Sequence, residues 1–139
     1  NFMTDCLFCK IVQCEIPCEK VYEDENVMAF LDIHPVNPGH ILVVPKKHVV
    51  DFVSLDDATL ASVVSVAKKV GAAVMRGAGA QGVNIMINNG AVAGQVVFHL
   101  HVHVVPRFEG DGFKLWPGKE YAAGEAGVMA QKIRVELSV

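Results

Sequence analysis

The chain lacks any long hydrophobic run. None of its 139 residues belongs to a stretch approaching 18 uncharged apolar residues, so we expect no membrane span. A basic start followed by an apolar block and a cleavage site is also missing, so we expect no secretory signal. There is no basic run, and the net charge is −3. This charge pattern argues against a duplex nucleic acid partner, although a single nucleotide needs only a local site.

Cysteine is missing beyond residue 18, and all four cysteines lie at positions 6, 9, 14 and 18. A secreted disulfide scaffold would spread its cysteines along the chain, so we expect a cytoplasmic protein with metal-bound or free thiols. Cys6 and Cys9 form a C-x2-C pair, whose thiolates can reach one tetrahedral zinc ion. A four-cysteine cluster with Cys14 and Cys18 is an alternative. A second alternative is that all four cysteines are small hydrophobic side chains buried in the core.

Histidines alternate with apolar residues over residues 99–105, which read H-L-H-V-H-V-V. A period of two predicts a strand with His99, His101 and His103 on one face. The two outer histidines would then lie about 13 Å apart. Because zinc–nitrogen bonds are about 2 Å long, all three side chains cannot bind one ion. An outer histidine can join metal ligands from elsewhere, which leaves the middle one free as a nucleophile.

The remaining pattern predicts several strands and one clear helix. Strands are predicted at residues 19–23, 26–33, 41–44 and 83–88, and a helix at residues 54–76 with Ser54 as its N-cap. A final helix or tail is predicted at residues 125–137. We expect a single domain over residues 1–139, in which residues 1–4 are a tag or disordered and residues 108–139 form a C-terminal loop and tail.

The motif His-φ-His-φ-His-φ-φ, where φ is apolar, resembles the signature of the histidine triad (HIT) superfamily. The similarity extends from about Asp5 to Trp116, and the C-x2-C pair is similar to that of a Hint-like branch. This resemblance implies an α+β fold with a five-stranded, mainly antiparallel sheet and two helices. It also implies a homodimer whose two sheets join into one of ten strands. Trp116 would then lie in a tail that reaches the partner's site, or it would be an ordinary core anchor.

The resemblance also implies roles for particular residues. The implied catalytic residues are His101, His103 and His40. The implied substrate-binding residues are Asp32, Ile33, Asn88, Gly94, Gln95, Val96 and His103. The implied ligands of a structural Zn²⁺ are Cys6, Cys9, His48 and His99, and no catalytic metal is expected. From its position at a strand end, Asp32 is alternatively a turn-capping residue.

The activity implied by the resemblance is attack of His101 on the α-phosphate of a purine nucleoside phosphoramidate or related adenylate. An AMP- or GMP-type ligand is the expected partner. Alternatives are a Fhit-like dinucleoside polyphosphate hydrolase, a nucleotide-binding regulatory module with little turnover, and a zinc-binding interaction protein. Val96 departs from the family pattern, which usually has Ser or Thr close to the leaving group at this position. A valine side chain has no hydroxyl to donate, so assistance to the leaving group is in doubt.

Overall fold

The computed structural model describes residues 5–138. In chain order the elements are α1 (Leu7–Val12), β1 (Lys20–Glu23), β2 (Val27–Leu31), β3 (Ile41–Pro45), α2 (Asp57–Ala78), β4 (Gly82–Met86), a 3₁₀ turn (Ala91–Ala93), β5 (Val102–Arg107) and α3 (Glu125–Leu137). The predicted α+β fold with five strands is confirmed. The expectation of two helices is wrong, since the described residues form three α-helices. The extension predicted at residues 1–4 lies outside the described residues.

The five strands form one sheet in the order β1-β2-β3-β5-β4, and every neighbouring pair is antiparallel. Strand β5 lies between β3 and β4, so the histidine-bearing strand is an inner strand. In the register of β3 and β5, His103 is opposite Leu42. This pairing sets the position along β3 at which the His103 side chain projects from the sheet.

Side chains alternate between two covered faces of the sheet. Val27, Ala29 and Val43 pack against α2 on one face. Met28 and Phe30, their neighbours along β2, pack with Phe8 of α1 on the other face. Since successive residues of a strand point to opposite sides, the continuous apolar runs of β2 and β3 serve both layers. His103 and Leu42 belong to the α1 face, which is where the candidate site forms.

Helix α2 covers the opposite face with a row of buried residues at helical spacing: Val63, Val66, Ala67, Val70 and Val74. By length and composition α2 is also apolar enough to cross a membrane, but a packed core helix passes the same test. The prediction of Ser54 as its N-cap is wrong. The cap is Asp56, whose carboxylate accepts a hydrogen bond from the Thr59 N–H at 3.0 Å, while the Ser54 hydroxyl donates to Asp51.

The predicted strand over residues 99–105 begins later than expected, at Val102. The residues before it do not join the ladder, since the Leu100 N–H donates to the Val49 carbonyl at 2.7 Å. The His99 carbonyl is also used locally, because it accepts from the His101 ring at 2.8 Å. His99 and His101 therefore lie in an irregular segment, and only His103 has the regular strand geometry that the alternation predicted.

The tail after β5 is hydrogen-bonded to Arg107 of that strand through Asp111 and the Phe113 carbonyl, and beyond Phe113 it is almost entirely exposed. Trp116 is 91% exposed, so its prediction as a core anchor is wrong. Helix α3 buries none of its residues, although Val128, Ile133 and Leu137 are apolar. The apolar side chains of α3 are thus not covered by any other part of the described chain.

Candidate active site and metal centre

The three histidines of the triad divide between two groups of side chains. His99 turns towards the N-terminal cysteines, whereas His101 and His103 lie side by side with ring centroids 4.9 Å apart. The irregular backbone before Val102 makes this separation, because a regular strand would point all three rings in one direction. One motif therefore supplies a ligand to a metal-type cluster and two imidazoles to a cleft.

The first group consists of Cys6, Cys9, His48 and His99, whose ligand atoms all lie within 4.8 Å of one another. Cys6 Sγ is 3.4 Å from His99 Nδ1, and Cys9 Sγ is 3.4 Å from His48 Nδ1 and 3.6 Å from His99 Nδ1. Zinc bonds of about 2.3 Å to sulfur and about 2.0–2.1 Å to nitrogen at tetrahedral angles place these atoms about 3.6 Å apart. The cluster therefore has the dimensions of a tetrahedral zinc site.

Local structure orients the ligands of this group. Cys6 is the N-cap of α1 and Cys9 lies one turn later, so two intervening residues bring both sulfurs to the same side. The other ring nitrogen of His99, Nε2, donates to the Pro45 carbonyl at 2.8 Å, which leaves the Nδ1 lone pair facing the sulfurs. Burial lowers the pKa of His99 to about 4, so its imidazole is neutral near pH 7.

The alternatives for the cysteines are not seen. Among the described residues, only Cys6 and Cys9 join the histidines, so the four-cysteine cluster is wrong. Cys14 is exposed, with a φ of 62°, and Cys18 is half-buried. Cys9 alone is fully buried, so a shared role as buried hydrophobic side chains is also wrong.

His101 has its two ring nitrogens in different states. Its Nδ1 lies 2.8 Å from the His99 carbonyl oxygen, and since a carbonyl only accepts, Nδ1 carries the proton. In the neutral imidazole Nε2 then has a free lone pair. Burial is the main cause that lowers the pKa of His101, which keeps the ring neutral near pH 7. Phe8 packs edge-on against the ring at 5.0 Å between centroids and holds it in place.

A cleft of about 410 Å³ opens in front of these rings, which is within the size range of small-molecule sites. Of the predicted site residues, those lining it are Asp32, Ile33, Gly94, Val96, His101 and His103. His40, Asn88 and Gln95 do not line it. The remaining walls are mostly apolar, with Phe8, Ile11 and Phe30 on the side of α1 and β2. An apolar slot ending at two imidazoles and one carboxylate is suited to a planar ring with a polar substituent.

His40 lies behind His103 and is almost fully buried. Its Nε2 is 3.0 Å from His103 Nδ1, and its Nδ1 accepts from the Val36 backbone N–H at 3.1 Å. Burial lowers the pKa of both rings, to about 4 for His103. His40, His103 and Asp32 also have ligand-type atoms within 4.8 Å of one another.

Asp32 combines the two roles considered for it. One carboxylate oxygen accepts from the His34 backbone N–H at 2.8 Å and so caps the turn after β2. The other oxygen lies 3.7 Å from His40 Nε2. The side chain is 20% exposed, so part of the carboxylate faces the cleft, where ligand hydroxyls can reach it.

Comparison with known proteins gives the family. Residues 13–110 match the HIT domain family. The chain belongs to the HIT family. It is 53% identical over 107 residues to an uncharacterised HIT-like protein of Methanocaldococcus jannaschii, covering 77% of this chain and 82% of that one.

Two HIT relatives carry the name of an activity. An adenosine 5′-monophosphoramidase of Schizosaccharomyces pombe is 40% identical over 119 residues, covering 86% of this chain and 80% of the relative. An adenylylsulfatase of Arabidopsis thaliana is 40% identical over 111 residues, covering 80% of this chain and 56% of the relative.

Solved structures share this fold over nearly the whole chain. A Streptococcus mutans protein superposes with a TM-score of 0.92 at 43% identity, covering 97% of this chain and 87% of that one. A zinc-bound histidine triad family protein of Mycobacterium smegmatis superposes with a TM-score of 0.76 at 37% identity, covering 97% and 98%.

The loop before the HIT motif is held together by its own side chain and backbone. Gln95 is buried; its Oε1 accepts from the Gly90 N–H at 2.9 Å and its Nε2 donates to the Val50 carbonyl at 2.8 Å. The N–H groups of Gly94 and Gln95 are also bonded inside the loop. Asn88 lies next to Gly94, where an added Cβ would be 3.4 Å from its side-chain nitrogen. Gln95 therefore shapes this rim of the cleft, and its predicted contact with substrate stays a prediction.

Val96 and Ile33 form an apolar entrance to the HIT cleft, each 84% exposed. Two other groups that contact the site histidines were not predicted from the sequence: the Phe8 ring, which packs on His101, and the Val36 backbone N–H, which donates to His40. A buried aromatic residue inside the C-x2-C turn was a signal for Phe8. No sequence pattern indicates which backbone amide meets a histidine ring.

Proposed function

We propose that this HIT protein hydrolyses purine nucleoside phosphoramidates or related adenylates through a covalent nucleotidyl intermediate on His101. One observation carries this proposal: the Nδ1–H of His101 donates to the His99 carbonyl at 2.8 Å. The bond leaves Nε2 as an unprotonated nucleophile in a cleft that it shares with His103 and Asp32.

The reaction has two displacements at phosphorus. The Nε2 lone pair of His101 attacks the α-phosphorus, a nitrogen–phosphorus bond forms, and the bond to the leaving group breaks. A leaving amine takes up a proton from water, while the neutral His103 keeps its single ring proton and only donates a hydrogen bond. A water oxygen then attacks the same phosphorus, the bond to Nε2 breaks, and the proton lost by water restores the donor. The product is the nucleoside monophosphate, and His101 returns to its neutral state.

The cleft walls suit the other parts of a nucleotide. Asp32 offers a carboxylate oxygen to ribose hydroxyls, and apolar residues such as Ile33 and Phe30 flank the space for a base. His103 is proposed to donate to phosphate oxygens, where added charge develops during attack, and Asn88 is proposed to do the same from its position beside Gly94 at the rim of the cleft. The activities named for the yeast and plant relatives support a substrate of the adenylate type.

We also propose a structural Zn²⁺ held by Cys6, Cys9, His48 and His99, and no metal in the catalytic steps. The sulfur–nitrogen distances and the zinc-bound relative support this assignment. A closed set of four protein ligands supplies folding free energy and leaves no open position for chemistry. Metal analysis should find one zinc per chain, which Cys9→Ser removes. The matched control is Cys14→Ser, an exposed cysteine outside the cluster; loss of zinc from it would contradict the ligand set.

A cytoplasmic homodimer is proposed as the working assembly. Within residues 5–138, strand β4 pairs only with β5 and so leaves one edge open, and Ile85 and Met86 on it are exposed. Pairing of two β4 edges would join the sheets into ten strands and cover these side chains. Light scattering should give about twice the 15.0 kDa mass of one chain. Met86→Lys should give monomers, whereas Val53→Lys, an exposed control on a loop, should not.

The second candidate is a nucleotide-binding regulatory module with little turnover, and Val96 is the observation that favours it. Since Val96 lines the cleft beside His101 and His103 without a hydroxyl, poor leaving groups receive less assistance. A Fhit-like hydrolase of dinucleoside polyphosphates uses the same nucleophile and differs only in the leaving group.

The deciding experiment mixes the protein with adenosine 5′-phosphoramidate, quenches it in acid, and follows the adduct mass and free AMP. Many turnovers with an adenylyl group on His101 support the proposal. His101→Ala should abolish turnover and keep nucleotide binding, and residual activity within about tenfold of wild type would reject its role. Ser62→Ala, at a partly exposed position on α2 that does not line the cleft, is the control. Binding without AMP or adduct would favour the regulatory module, whereas turnover confined to diadenosine polyphosphates would favour the Fhit-like alternative.

A further inference from the structure

The protons on His40 and His103 can be located from their hydrogen bonds. The Val36 backbone N–H lies 3.1 Å from His40 Nδ1 and can only donate. His40 Nδ1 must therefore accept, and it holds a lone pair. A neutral imidazole carries one ring proton, so the proton of His40 is on Nε2.

The hydrogen bond between His40 and His103 determines which nitrogen of His103 carries the proton. His40 Nε2 is 3.0 Å from His103 Nδ1, and one proton lies between them. Because that proton belongs to His40, His103 Nδ1 accepts, and the proton of His103 is on its own Nε2. Asp32 supports this arrangement, since its carboxylate oxygen 3.7 Å from His40 Nε2 favours a proton on that nitrogen.

We propose that the backbone N–H of Val36 is a positioning group that makes His103 a hydrogen-bond donor towards the cleft. This inference rests on the proposed function and adds how the site distinguishes its two adjacent imidazoles. His101 is protonated on Nδ1 by its bond to a carbonyl, and His103 on Nε2 by its bond to His40. The cleft is thereby given one nucleophilic nitrogen and one N–H donor, both on neutral rings, as attack on a phosphate with stabilisation of its oxygens requires.

The loop that carries Val36 is anchored, so its amide is held in place. The Asn37 side chain donates to the Pro106 carbonyl at 2.9 Å and to Asp111 at 3.1 Å. The His40 N–H donates to the Asn37 carbonyl at 3.0 Å. These bonds connect the loop to the end of β5, the strand that bears His103.

The same proton positions argue against a metal ion between Asp32, His40 and His103, although their ligand atoms are close enough. A metal would take the Nε2 lone pair of His40, and that nitrogen carries the proton. Because Nδ1 of the same ring accepts from Val36, the proton has no second place on the ring. Cobalt titration should therefore reach one ion per chain. A second ion that is lost in His40→Gln and retained in Cys9→Ser would overturn the assignment.

The direct test is ¹⁵N NMR of the histidine rings in the zinc-loaded wild-type protein at about pH 8, where neutral rings are expected. We expect bare Nδ1 and protonated Nε2 on His40 and His103, and the opposite pattern on His101. A proton on His103 Nδ1 would overturn the proposal. This readout needs no turnover, so a correct proton pattern in an inactive protein would reject the proposed function alone.

Two variants test the origin of the pattern. Val36→Pro removes the backbone N–H, and Val36→Ala keeps it while shortening the same side chain. We expect mixed proton positions on His40 and His103 in Val36→Pro only. Its kcat should fall several-fold, less than the roughly 10²–10³-fold loss for removing a donor outright, because part of the population keeps the correct pattern.

Two variants of His40 test the same proposal if Val36→Pro does not fold. His40→Gln replaces the ring by an amide that can still donate to His103, and His40→Leu removes the donor. The proton should stay on His103 Nε2 in His40→Gln and redistribute in His40→Leu. An unchanged His103 pattern in both His40→Leu and a folded Val36→Pro would overturn the proposal.

Discussion

Acidification of the metal-free protein should lower its free energy of unfolding, because buried His99 stays neutral in the folded state. Burial lowers the pKa of His99 to about 4 from an ordinary value of 6.5. In the unfolded chain His99 takes up a proton between these values, and in the folded protein it does not. The stability from neutral His99 is thus present above pH 6.5 and is lost as the pH falls towards 4. Between about pH 7.5 and pH 4.5 the loss in the free energy of unfolding is about 2.5 kcal/mol.

Urea unfolding of chelator-treated protein at the two pH values measures this loss. The control is His99→Gln, which does not titrate and whose amide can still donate to the Pro45 carbonyl. His101 and His103 titrate in both proteins, so their effects cancel in the comparison. We expect the wild type to lose about 2.5 kcal/mol more than the variant. Equal losses in both proteins would refute the reasoning, because His99 would then titrate alike in the folded and unfolded states.

Three further perturbations test the scaffold of the site. Gly39→Ala places a Cβ 3.3 Å from that of Ala78 at a backbone φ of +96°. The close contact and the strained backbone should lower the free energy of unfolding by about 1–3 kcal/mol. The control, Gly77→Ala, has open space around the added Cβ and should not lower it. Asp56→Ala should lower Tm by about 2–4 °C and Ser54→Ala by less than half as much; the reverse order in thermal unfolding would contradict Asp56 as the cap. Gln95→Ala should raise KM for adenosine 5′-phosphoramidate several-fold with a smaller change in kcat, and an unchanged KM would show that the loop is held without it.

The elements that sequence reasoning located well are those governed by local pattern. Apolar runs and their terminating residues predicted β2 and β3 because a buried strand is visible in its own composition. The C-x2-C pair and the alternating histidines indicated their chemistry because spacing limits which atoms can meet. The cap of α2 was misplaced by two residues, since Ser54 and Asp56 are both good capping residues and only the turn at Asp51 decides between them.

Predictions that needed long-range contacts were less complete. The period of two placed three histidines on one face, whereas the Val49 and His99 carbonyls bend the segment before Val102 out of the ladder. Trp116 was compatible with a core or a tail because an aromatic residue suits both. Its exposure in the structure excludes the core of its own chain.

Spacing and side-chain chemistry indicated a cysteine pair able to bind metal and a middle histidine free to act as nucleophile, whereas the α+β fold and the full set of four zinc ligands were implied by the resemblance to the HIT superfamily. Only the tertiary structure decided which ring nitrogen is bare and which carries a proton. The proton on a neutral imidazole goes to the nitrogen that faces an acceptor. For His101 the deciding group is the His99 carbonyl. For His103 it is the Val36 backbone N–H, which acts through the ring of His40. His40 and His103 come together only when the β3 and β5 segments of the chain have paired.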